Sequence, residues 1–293
     1  MNTHAFPGID TRINTAAAAV QSLPEATPAD AAPVTARERH ARRVRIPLHR
    51  IVTVELRKSF DTRAGRWLLV SVVGLAVLTT AAVIAFSPPE EFTYSNFTTA
   101  IAVPMGIVLP IIAALAVTAE WSQRSGLTTF TVVPDRGRVM LGKAVGVLVV
   151  AIPATALALA MGALGNVVAS GISGHPAVWD QDVITAGPYW LLSIALTLMA
   201  GFAFGILIRN SAGAIVAFFV YSFVIPPILG LLAVSKAWFA DVRPWIDLDH
   251  QTTVLQGGGF DAEQWQQLAS AGAIWLVLPL LIGMWTLLRS EVK

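Results

Sequence analysis

Six long apolar runs decide most about this chain: residues 67–86, 100–119, 144–168, 189–208, 212–234 and 271–288 contain no Asp, Glu, Lys, Arg or His. A helix presents about 20 apolar residues to cross the hydrocarbon core of a bilayer, and these runs are 18 to 25 long. Composition agrees: 55% of the 293 residues are hydrophobic and only 13% charged, whereas soluble proteins carry about a quarter charged residues. The expected fold is all-α and integral to the membrane, with six transmembrane helices. Pro226-Pro227 interrupts the fifth run, so a kink or re-entry is expected there.

The charges fix an orientation. With both termini placed in the cytoplasm, 18 of the 20 Lys and Arg residues fall inside and only Lys236 and Arg243 outside, the asymmetry of the positive-inside rule. The outer loops carry Glu90, Glu91, Asp180 and Asp182. Trp67, Trp121, Trp190 and Trp238 fall near span ends, where interface anchors belong.

Residues 1–45 lack apolar periodicity, are rich in Ala, Pro and Thr, and become basic from Arg37. They read as a disordered tail, leaving 46–293 as the membrane domain. Within residues 48–60, Leu48, Val52, Leu56 and Phe60 recur every four positions beside Ile51, with Arg50, Arg57 and Lys58 between them. This pattern predicts an amphipathic helix with a basic face, suited to the cytoplasmic leaflet. Between the fifth and sixth runs, Trp238, Trp245 and Gly257-Gly258-Gly259 precede a stretch, 261–268, that suits a short helix at the outer interface.

Several motifs are set aside. Gly137–Ala144 nearly matches a phosphate-binding loop, but Ala144 replaces the Ser or Thr that would hold magnesium and no βαβ context exists. Gly171-Ile172-Ser173-Gly174 imitates a serine-protease motif, yet no histidine lies within a run to act as base; a turn is expected. Gly201 and Gly205, four apart in mid-run, form a flat strip for a close helix contact. The chain has no cysteine, and its five histidines share no metal-ligand spacing, so neither thiolate chemistry nor a metal site is expected. Without an ionisable residue in a run there is no site for ion coupling and none for acid–base catalysis. The chain is expected not to be an enzyme, and any transport it performs would be powered by another polypeptide.

The longest inner loop, Glu120–Lys143, reads EWSQRSGLTTFTVVPDRGRVMLGK. It suits a short surface helix stopped by Pro134. Its pattern E-x3-R-x-G-x-T-T…P-x-R-x-R…K, lying between the second and third of six spans, resembles the permeases of ABC-2 type transporters. Glu55-Leu56-Arg57-Lys58 to Thr62-Arg63 resembles the N-terminal elbow helix of that family, and the stretch from Trp245 to Lys293 is similar to the ends of many bacterial members.

The resemblance implies the membrane subunit of an ATP-driven pump, usually an exporter, in a bacterial plasma membrane. Two permeases, as a homodimer or a heterodimer, would pair with two ATPase chains that bind the ATP; no cofactor sits in this chain and no nucleic acid is a partner. Glu120, Arg124, Gly126, Thr128, Pro134, Arg136 and Arg138 would mark the coupling helix that docks on the ATPase. Glu55, Arg57 and Lys58 would belong to the elbow, and residues 226–259 would form re-entrant helices on the exit side. On this reading Glu120→Lys uncouples the pump and spares the fold. The alternative is a motorless membrane scaffold or immunity protein that binds a partner through its basic inner face.

Overall fold

A computed structural model describes residues 47–61, 63–122 and 136–289. The tail 1–45 lies outside these residues, as do Arg124, Gly126, Thr128 and Pro134 and the side chains of Lys58 and Arg136. The described residues are helical apart from short connections and one isolated bridge between Thr93 and Val178. We number the helices α1 (Leu48–Asp61), α2 (Arg63–Phe86), α3 (Tyr94–Ser122), α4 (Arg136–Ser173), α5 (Val183–Ile208), α6 (Ser211–Phe219), α7 (Ile225–Ser235), α8 (Ala237–Ile246), α9 (Leu248–Gln256), α10 (Ala262–Gly272) and α11 (Leu278–Arg289).

Five helices are long and apolar enough to cross a bilayer: 94–122, 137–173, 183–208, 211–235 and 262–289. A shorter apolar stretch, Val70–Phe86, lies in α2. The protein is therefore an all-α, multi-pass membrane protein. Many large apolar side chains point outward, such as Leu78, Ile152, Leu231 and Leu281. In water that would be an aggregation hazard; in lipid it is the favoured state.

The helices exceed the apolar runs because polar residues extend them at both ends. α4 begins at Arg136, so Arg136, Arg138 and Lys143 lie on its first turns and not in a loop. At its other end α4 continues through Ser173 and stops where Gly174 takes the left-handed conformation, φ 73°. Gly171 to Ser173 are thus the last helical turn, and only Gly174 makes the expected turn. The chain stays helical through Pro226-Pro227: a π-helical turn, Val220–Val224, precedes the prolines, which sit at the start of α7. A π turn re-spaces the carbonyls that a proline leaves without an N–H. The expected short helix at 261–268 is the start of a long one. Asp261 and Gln264 form a capping box, and the helix runs on through a second π turn, Ala273–Val277, to Arg289.

Close packing is made by small residues. A Cβ on Gly201 would lie 2.6 Å from the carbonyl carbon of Pro110, and one on Gly205 3.0 Å from the Ala114 oxygen. The strip 201–205 thus lets α5 meet the backbone of α3, and the main core (Met105, Leu109, Val147, Leu198, Phe202) fills around that contact. Trp190 does not anchor an interface; it is buried at 1% exposure within the bundle, whereas Trp67 and Trp238 are exposed.

The bundle has two chemically distinct ends. Arg138, Lys143, Arg209 and Arg289 mark a basic end, and Glu90, Glu91, Asp180, Asp182, Asp261 and Glu263 an acidic one. At the acidic end Asp180 accepts hydrogen bonds from the Ser95 N–H (2.9 Å) and hydroxyl. Burial raises its pKa, but these bonds outweigh it and hold the carboxyl below its ordinary value.

Candidate functional site: an ion-paired junction at the basic end

The basic end is organised around one lysine. Lys143 lies two turns into α4 with its side chain 2% exposed. Its ammonium reaches Glu55 Oε2 of α1 at 2.6 Å and Glu120 Oε1 of α3 at 3.0 Å, and donates to the Ala116 carbonyl at 3.2 Å. Glu120 is 3% exposed. One buried cation therefore joins three helices whose residues are far apart in sequence. A lone buried charge is costly; here two carboxylates and a carbonyl surround it.

The surrounding residues explain how so tight a junction forms. Gly142 leaves room for Ile51: a Cβ there would sit 2.5 Å from Ile51 Cγ2. Gly146 lies one turn on, its Cβ position 3.8 Å from Glu55 Cβ. Gly142 and Gly146, four apart, make a shallow seat for α1, and Lys143 between them supplies the ion pairs. Ile51 and Glu55, also four apart, form the face that enters the seat. Arg50 and Arg57 lie exposed on the other side of α1, which leaves a basic surface there.

Beside this junction, Arg209 ends α5 in the left-handed conformation, φ 56°. Its guanidinium donates to the Gly283 carbonyl at 3.2 Å and to the Thr286 hydroxyl, and lies 5.9 Å from the centroid of the Trp121 ring. It ties the ends of α3, α5 and α11 together.

Of the residues the resemblance singled out, Glu55 and Glu120 meet on Lys143. Arg138 is half-buried on α4 and Arg57 is exposed. The near-match to a phosphate loop, Gly137–Ala144, is helical throughout; its Gly142 and Lys143 build the junction instead. Sequence reading missed Lys143 as a site residue by counting it as one more inner cation. The available signal was two acids, Glu55 and Glu120, in segments otherwise basic or apolar.

A scan against models of known protein families finds no match, and a comparison with curated proteins finds none either.

Proposed function

We propose that this chain is the permease subunit of an ATP-binding-cassette exporter, with six spans, both termini in the cytoplasm of a bacterial cell, and a separate ATPase docked on the basic end. The observation that carries the reading is the junction on Lys143. A subunit driven from outside needs a rigid route from its docking surface to its spans. Residues 123–135 connect two helices that are clamped to each other and to α1 by one buried cation. A force applied to that connection moves α1, α3 and α4 as one body, because packed helices shift between discrete arrangements. The exposed Arg50 and Arg57 add a basic surface for an acidic partner. Glu120, Arg124, Gly126, Thr128, Pro134, Arg136 and Arg138 would frame the coupling segment, with Glu55, Arg57 and Lys58 beside it. A second permease copy, equal or different, completes the transporter.

The test is to tag the chain, extract it in mild detergent and identify what co-purifies. A stoichiometric ATPase whose hydrolysis is sensitive to vanadate supports the proposal. No ATPase, with chemical crosslinks showing that native contacts survived extraction, overturns it in favour of a motorless module.

A further inference from the structure

The apolar runs carry no ionisable residue, yet the fold brings several to their depth. α8 and α9 form a hairpin whose corner, Ile246–Leu248, turns in among the long helices. Two hydrogen bonds and an aromatic contact fix how far it reaches. The Trp275 indole donates to the Ile246 carbonyl at 2.7 Å, and Trp275 lies about 6 Å inside the apolar run 271–288. Trp275 packs on Tyr221 at 4.9 Å between ring centroids, and Tyr221 lies about 15 Å along the 25-residue helix 211–235. On the other arm, the Ser193 hydroxyl of α5 donates to the Thr252 carbonyl at 3.0 Å, about 6 Å inside the apolar run 189–208. At its far end α9 returns to the acidic end, where Gln181 Nε2 donates to the Gln256 carbonyl at 2.7 Å. The hairpin enters and leaves by the same end.

Its corner carries Arg243, Asp247, Asp249 and His250. Arg243 is satisfied by Asp247, Nε to Oδ2 at 2.9 Å, and the other oxygen of Asp247 accepts from the His250 N–H at 3.0 Å. Asp249, half-buried one residue beyond the corner, is the acid that this arrangement leaves over. The neighbouring helices bring no second cation. The only titratable residue of α5 is Tyr189, stacked on Trp265; that of α10 is Glu263, whose Oε1 accepts from Gln267 at 3.1 Å; α7 and the π turn at 273–277 have none. α8 adds only Asp241, which is exposed. The π turns at 220–224 and 273–277 flank the corner, and such turns concentrate at functional sites.

We infer that the corner of the α8–α9 hairpin is a proton-binding site set within the apolar layer, with Asp249 as the acceptor, and that release of its proton loosens the hairpin from its seat. With Asp247 matched by Arg243, an ionised Asp249 leaves one net negative charge at a depth where ionisable groups are retained for function. A neutral Asp249 leaves none. Burial first, and then the charge of Asp247, push this carboxyl up to about 6. The inference rests on the fold alone and is independent of any ATPase.

The full chain in lipid nanodiscs is titrated from pH 8 to pH 4.5 by infrared difference spectroscopy. The expected result is a protonated-carboxyl band that grows in near pH 6, vanishes in Asp249→Asn and persists in Asp241→Asn. In parallel, Thr252→Cys reports on the seat; the chain has no native cysteine. Its maleimide labelling is divided by that of Ala262→Cys, an exposed position, to cancel the pH dependence of the thiol. This ratio is expected to rise at least threefold from pH 5 to pH 8 and to stay flat when Asp249→Asn is added. A band that survives Asp249→Asn, or a ratio that ignores pH in the parent, overturns the inference. Should Thr252→Cys fail to fold, the spectroscopic titration decides alone.

Discussion

At the scale of single residues, Lys143 separates two ways of weakening the basic end. Lys143→Met removes the cation and leaves Glu55 and Glu120 facing each other in a buried site. Breaking a buried pair from one side costs about 3–5 kcal/mol, because both carboxylates lose the cation they share. The same change made with Glu120→Gln strands less charge and should recover a large part of that loss. Unfolding in mixed micelles with increasing SDS measures both; equal losses for the single and double variants would show that Lys143 contributes through packing alone. Glu120 itself deserves the milder substitution. Glu120→Lys would set a second ammonium against Lys143, so the expectation that it spares the fold does not survive the geometry. Glu120→Gln is the variant that probes coupling without that repulsion. The Gly201 contact gives a second residue-scale expectation. Gly201→Ala forces a Cβ onto the Pro110 carbonyl, whereas a Cβ at Gly106 meets nothing within 4 Å. Gly201→Ala should destabilise by about 1–3 kcal/mol, and Gly106→Ala should be neutral or gain a few tenths from helix propensity. Comparable Tm values for the two variants would show that α5 can move away from α3 without cost.

At the scale of elements, the hairpin α8–α9 carries a pH dependence of its own. Asp249 has a higher pKa in the folded chain, about 6, than the 3.8 of a free aspartate. Between these values the folded state binds more protons than the unfolded one, so stability is fully present below about pH 4 and is lost as pH rises through 6. Asp249→Asn fixes the neutral form and should raise stability at pH 7.5 by about 1–3 kcal/mol, and by about a third as much at pH 4.5. Thermal unfolding of both proteins at the two pH values tests this; a gain of equal size at both would assign the effect to something other than titration. This element also marks where sequence reading ran out. The apolar runs, the amphipathic α1 and the close strip 201–205 follow from one-dimensional patterns, since period and length alone decide which segments suit lipid. The hairpin does not: α8 and α9 are only 10 and 9 residues long, too short to read as spans, and re-entrant helices over 226–259 are implied by the resemblance alone, not by period or length. What carries them inward is tertiary: the Trp275 donor, the Ser193 hydroxyl and a charge pair that neutralises itself. Lys143 was illegible for the same reason. Its partners lie 88 residues away on α1 and on α3, and nothing local distinguishes it from a solvated cation.

At the scale of the whole molecule, the path of α2 determines whether the chain crosses the membrane an odd or an even number of times. Among the described residues, the apolar stretch of α2, Val70–Phe86, is shorter than those of its long neighbours. Its two ends are nevertheless fixed by their neighbours. α2 follows α1, whose Ile51 and Glu55 are seated on Gly142 and Lys143 at the basic end of α4. It leads into Phe92 and Thr93, which pack against Ala169 and bridge to Val178 at the acidic end. The chain therefore travels the length of the bundle along α2, as it does along its long neighbours. A 24-residue helix is about 36 Å long, enough for the hydrocarbon core with Arg63 and Arg66 remaining at the basic end. If α2 crosses, the tail before Leu48 and the connection 123–135 lie on the same side of the membrane. If it does not, they lie on opposite sides. Single cysteines at Ala31 and at Phe130, labelled with a membrane-impermeant reagent in intact cells and again after lysis, distinguish the two. A crossing α2 requires the two to behave alike, and the proposed cytoplasmic orientation expects both to be protected in intact cells and labelled only after lysis. Labelling of one alone in intact cells would leave five crossings and would separate the tail from the junction on Lys143.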